Sequence, residues 1–185
     1  MPTDRLKGRL LVATPGLLDT NFFRTVVLVV DHNEEAAAGV VLNRPTSTQL
    51  GGPLEAWRGM AADPPLVFVG GPVEPEAAVC LGRTTPDASP PGFQPVVDGL
   101  GVIDLGRRPS EVGAGVDRVR VFAGYAGWNA GQLERELEEG AWYLLDADPE
   151  DALTSQPGGL WRFVLHRQGG QLALVSNFPA DPTMN

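Results

Sequence analysis

The stretch Phe122–Gly140, FAGYAGWNAGQLERELEEG, limits the fold of this chain more than any other. Just ahead of it and into it, Val119, Val121 and Ala123 alternate with Arg118, Arg120 and Phe122, a period of two that predicts a strand. Gly124 and Gly127 tolerate positive φ and predict a sharp turn after that strand. Asn129 is placed to cap a following helix, with Gln132 three residues on to complete a capping box. Trp128 and Leu133 are spaced for a hydrophobic staple, and Leu133 and Leu137 share a helix face. Gly140 stands where a C′ glycine ends such a helix.

Strands are predicted at Leu10–Ala13, Val26–Val30 and Val40–Leu42, the last two joined by a hairpin loop over 31–39. Val26–Val30 is apolar without alternation, which predicts burial on both faces. A short helix is predicted over Leu54–Met60. Strands at Leu66–Val69 and Ala77–Leu81 flank a turn at Gly70-Gly71-Pro72 that permits close backbone approach. Four prolines make Thr84–Pro95 an irregular surface loop. Further strands are expected at Val102–Leu105 and Trp142–Leu145. Asp148 before Pro149 caps a helical turn, and Leu160, Val164 and Leu165 mark a helix ended by Gly169-Gly170.

A chain of 185 residues is expected to be one domain, 1–185, and buries roughly 70% of its unfolded surface without needing a disulfide or metal. Cys80 is the only cysteine and lies in an apolar run, so a buried core thiol is expected. The basic start around Arg5, Lys7 and Arg9 is followed by an apolar run too short for a signal peptide. No apolar stretch reaches the roughly 20 residues that span a membrane, so a cytoplasmic protein is expected. The net charge of −9 opposes a phosphate backbone, and the basic residues are scattered, which disfavours direct nucleic-acid binding. The acidic run from Glu134 to Asp151 reads as a solvated face or as a docking surface for a basic partner. Glu138 and Glu139, at the unfavourable end of the helix dipole, speak for docking.

Candidate chemistry is sparse. No serine sits in a G-x-S-x-G elbow, and His32 and His166 are the only histidines. Asp31-His32-Asn33-Glu34-Glu35 gathers potential metal ligands, but no second cluster supplies the rest of a site and a polar hairpin loop explains them fully, so no metal or cofactor is expected. Gly124–Gly127 before a helix suits an anion or a tight turn, with Tyr125 and Trp128 as aromatic surface and Gln132 as a polar contact. Asn43-Arg44-Pro45 ends a strand, with Pro45 stopping it. Arg44 there suits either a bound carboxylate or phosphate, or an internal salt bridge with Asp19 or Asp31.

Taken in order, several motifs resemble the YqgE/AlgH family of bacterial proteins. They are GRLLVATP at 8–15, with Asp19, Phe23 and Arg24 after it; GVVLNRP at 39–45; FVGGPV at 68–73; GYAGW at 124–128 with GQLE at 131–134; and FPADP at 178–182 with Asn185 last. The chain departs at Ala36, where the family commonly has glycine, and in its glycine-rich 107–117 connection. The resemblance implies an α+β domain: a bent, partly barrel-like sheet surrounded by helices. It also implies a regulatory role, since one branch is named for an effect on alginate synthesis, and it carries over no catalytic residues. The expected function is therefore a non-enzymatic regulatory or protein-interaction module, acting without direct DNA contact on a partner with a basic surface. The competing expectation is a small-molecule-binding protein or enzyme with a site built from Asn43, Arg44, Gly70, Gly71, Tyr125, Trp128 and Gln132.

Overall fold

The computed structural model describes residues 5–180, so the expected tail motif at Asp181-Pro182 and Asn185 lies outside the described residues. Ten strands form one curled sheet: β1 (Arg9–Ala13), β2 (Val26–His32), β3 (Ala36–Val41), β4 (Pro45–Gln49), β5 (Leu66–Val69), β6 (Val73–Thr84), β7 (Phe93–Val97), β8 (Leu100–Ile103), β9 (Val116–Asn129) and β10 (Trp142–Asp146). Their order is β10-β1-β2-β3-β9-β6-β8-β7, with β5 also lying parallel to β9 and β4 pairing only with β5. Every other pairing between strands is antiparallel. Two 3-10 segments, Gly52–Met60 and Pro157–Gly159, and five short helices complete the described residues: α1 (Pro109–Val112), α2 (Gln132–Glu138), α3 (Pro149–Ala152), α4 (Leu160–Gln168) and α5 (Gly170–Val175). This is a single α+β domain built on a curled antiparallel half-barrel.

β1 and β2 are covered on both faces, as the unbroken apolar run requires. Leu10, Val12, Val26 and Leu28 pack with Phe68, Phe122, Trp161 and Leu165, while Leu11, Ala13, Val27 and Val29 pack with Trp128, Leu133 and Trp142. A third cluster gathers Trp57, Cys80, Ile103, Val119 and Val121. Burial pushes the Cys80 thiol up to about 12, so it is an inert core residue at neutral pH.

Four expectations about elements are corrected. First, Gly124–Gly127 is not a turn, because β9 runs through it to Asn129. Gly124 adopts φ +75° within the strand, and the pairing of β9 with β6 shifts register beside it. The strand thereby bends away from β6 and goes on to pair with β3. Second, the cap of α2 is Gly131 and not Asn129. Only half of the expected capping box forms, with the Asn129 N–H donating to Gln132 Oε1 at 3.0 Å. Third, Pro45 opens strand β4 instead of ending a strand. Fourth, Pro95 sits in β7 at the end of the sheet order, where a missing N–H costs least.

Candidate functional site

The bend in β9 organises the motifs singled out in the sequence. A Cβ on Gly70 would lie 2.2 Å from the Gly124 carbonyl oxygen, and one on Gly71 would lie 2.1 Å from the Tyr125 carbonyl carbon. The two glycines therefore exist to let one backbone cross close beneath another. The Gly70 N–H donates to the Ala123 carbonyl at 2.8 Å and fixes the crossing.

Beyond the bend, α2 is tied to the sheet through two carboxylates, Glu136 and Glu134. Glu136 Oε1 accepts from the indole N–H of Trp128 at 3.1 Å and of Trp142 at 3.0 Å, while Oε2 accepts from Gln132 Nε2 at 3.0 Å. Phe22 stacks on Trp128 and meets Trp142 edge-on. Glu134 is held by His32, with Nε2 to Oε1 at 2.7 Å, and this contact is the chief cause of its carboxyl lying below the usual range. Leu133 and Leu137 face the same cluster, and Gly140 closes the helix in a Schellman motif, with Ala141 N–H to Glu136 O and Gly140 N–H to Leu137 O.

The solvent face of the same strands carries a trough of about 380 Å³. Its floor is a cross-strand row running from Asp31 to Ala38 to Gly127, with Ala36 opposite Asn129 beside it. Tyr125 and Val73 form one wall, and Asp31 and Asn33 lie at the other side. The alternation along β9 is regular here: Tyr125, Gly127 and Asn129 point outward, Ala126 and Trp128 inward.

Of the seven residues expected at a site, Tyr125 lines this trough, and Trp128 borders it while its indole packs on the inner face. Gly70 and Gly71 lie under the backbone that carries Tyr125, and Gln132 sits at the helix start. Asn43 and Arg44 are engaged elsewhere. Asn43 accepts from the Val26 N–H and donates to the Arg24 carbonyl. Arg44, expected to hold a bound carboxylate or phosphate or an internal salt bridge with Asp19 or Asp31, instead donates to the carbonyls of Thr20, Asn21 and Phe23 at 3.0, 2.7 and 3.0 Å. Burial lowers its pKa, and Asp19 acts only as a neighbouring charge. Both residues fix the 20–26 segment. Val73 and Ala38 were not legible as site residues, because their joining depends on the register of three strands.

A second cleft, of about 490 Å³, lies between 61–63 and the segment from α3 to α4. Its rim charges are largely paired: Arg118 with Glu150, and Arg167 with both oxygens of Asp151. The acidic run is thus not simply a solvated face, since Glu134, Glu136, Glu150 and Asp151 each hold a partner within the fold.

The AlgH-like family pattern matches residues 10–173. The chain belongs to the AlgH-like family. A UPF0301 protein of Streptomyces coelicolor is 48% identical over 97% of this AlgH-like chain and 95% of its own length. One of Mycobacterium tuberculosis is 41% identical, with 96% and 90% covered. The crystal structure of a Corynebacterium diphtheriae protein superposes with a TM-score of 0.88 at 30% identity, covering 96% of this chain and 93% of that one. The solution structure of the AlgH protein of Pseudomonas aeruginosa gives 0.69 at 30% identity, with 97% and 96% covered. Among the described residues, no helix is long and apolar enough to cross a membrane.

Proposed function

We propose that this protein is a non-enzymatic interaction module of a regulatory kind, working in the cytoplasm, that docks a partner with a basic surface at the acidic end of its sheet. The observation that carries this reading is a contrast among carboxylates. Asp117, Glu150 and Asp151 are held by arginines. Asp31 near the end of β2, and Glu34 and Glu35 in the loop that follows it, are exposed and make no ion pair among the described residues. Glu138 and Glu139 are exposed at the C-terminal end of α2, close in sequence to the His32–Glu134 contact that joins this helix to the hairpin. Unpaired surface charge of one sign steers oppositely charged partners, and the net charge of −9 opposes direct contact with DNA.

The test is affinity purification from the native host of the wild type and of a D31N/E34Q/E35Q variant. A specific protein should accompany the wild type at low salt. It should be lost from the variant, and lost from the wild type at about 0.5 M salt, where screening is nearly complete. Recovery of the same proteins with both forms, or of none with either, overturns the reading.

A further inference from the structure

The glycines in and beside the central strands are not alike. Gly39, Gly70, Gly71 and Gly124 each leave no room for a Cβ: the nearest atom would lie at 2.6, 2.2, 2.1 and 2.4 Å respectively. Gly127 is different. A Cβ there would meet only Val73 Cγ2 at 3.6 Å and Tyr125 Cε2 at 3.8 Å, both ordinary contacts, and its φ lies outside the left-handed region. Neither packing nor backbone conformation calls for glycine at this point of a strand, where it costs backbone entropy and gives up cross-strand packing. The space that a side chain would fill belongs to the trough bounded by Tyr125, Val73, Asp31, Asn33 and Asn129.

We infer that this trough receives one arginine side chain of the partner protein, an inference that rests on the basic-partner reading above. The chemistry of the walls selects it. A planar guanidinium fits over the Tyr125 ring, and an aliphatic stem fits beside Val73 and the alanine floor. Asp31 is an exposed carboxylate in the same cross-strand row and is available for a two-pronged hydrogen bond. The amide oxygen of Asn129 is a further acceptor. A phosphate does not suit the trough, because the glycines lie in a strand and not at a helix N-terminus, and a carboxylate lines the wall. Lysine offers a point charge without a plane to stack, so it binds less well.

The experiment measures fluorescence anisotropy of labelled octa-arginine and octa-lysine peptides with four proteins: wild type, Gly127→Val, Tyr125→Leu and D31N/E34Q/E35Q. Wild type should bind octa-arginine at least about fivefold more tightly than octa-lysine, the size of one cation–π contact. Gly127→Val fills the trough without changing charge. It should abolish the preference while keeping the octa-lysine affinity, and Tyr125→Leu should do the same without filling the space. Equal binding of both peptides by wild type, or an arginine preference that survives both substitutions, overturns the inference. Peptide affinity unchanged in D31N/E34Q/E35Q would instead overturn the acidic docking surface itself, so the two failures are distinguishable.

Discussion

Arg120 shows how a single side chain can hold this fold together. It is 2% exposed and makes no ion pair with a carboxylate among the described residues. Its Nη1 donates to the carbonyls of Ala152 and Thr154 at 3.2 and 2.8 Å, its Nη2 donates to that of Asp63 at 2.7 Å, and the guanidinium lies 4.2 Å from the Phe68 ring centroid. Burial brings its pKa down to about 10, so it remains charged at neutral pH. The charge is solvated by main-chain dipoles and an aromatic face, and it joins the 61–63 segment to the stretch after α3. Arg120→Ala leaves three carbonyls without their donor and opens a void, and should cost about 3–5 kcal/mol in urea unfolding. Arg120→Lys has one nitrogen to reach two separate segments and should recover only part of that loss. A loss under about 1 kcal/mol for the alanine variant would show that the carbonyls find water instead. In the sequence, Arg118 and Arg120 looked like the polar face of an alternating strand. Arg120 is buried because β9 is covered on both sides, a fact set by distant segments.

At the scale of elements, local signals worked where one short-range rule sufficed. Asp148 caps α3 by accepting from the Glu150 N–H at 2.9 Å, with Pro149 following, as expected. Gly140 ends α2 and Gly169 ends α4, although α5 starts again at once from Gly170. The same signals failed where glycine serves contact between segments. Gly124 and Gly127 look like turn residues because a glycine pair is the ordinary punctuation of a chain. The positive φ at Gly124 bends a continuous strand instead. The other partners in that crossing, Gly70 and Gly71, were legible as permitting close approach, but what approached them was not. Gly70→Ala sets a Cβ 2.2 Å from the Gly124 carbonyl oxygen and 3.0 Å from the Phe122 Cβ, with no flexible atom to give way. It should destabilise the protein by about 2 kcal/mol or more, as overpacking of a rigid site does. Gly127→Val should leave the thermal midpoint unchanged or raise it. Comparable losses from the two substitutions would refute the distinction between a glycine the fold requires and one it does not.

At the scale of the molecule, the motif order disclosed the family and its half-barrel, because most of the motifs mark β9 and the strands that pair with it, β3, β5 and β6. The convergence of those motifs was not legible, since it depends on register: Asn43 and Arg44 end at the 20–26 segment, Tyr125 reaches the trough, and the Trp128 indole lies on the inner face. Nor was the fate of the acidic residues legible, because their partners come from remote strands. Asp117 is held below the usual carboxylate range chiefly by hydrogen bonds from Arg83, and Glu134 chiefly by the one from His32. These contacts join β6 to β9 and the β2–β3 hairpin to α2. A carboxyl whose folded pKa is depressed adds stability that is complete above its unfolded value, about 3.9 for Asp and 4.3 for Glu, and is lost as pH falls through the folded value. The urea midpoint should therefore hold between about pH 5 and 7 as far as these two groups decide it, and fall on the acid side below about pH 4. Asp117→Asn and Glu134→Gln should each lower the neutral-pH midpoint and flatten that acid limb, the double variant more than either. If the acid limb keeps its slope in the double variant, these two contacts do not couple folding to protonation, and the loss at low pH comes from other carboxylates.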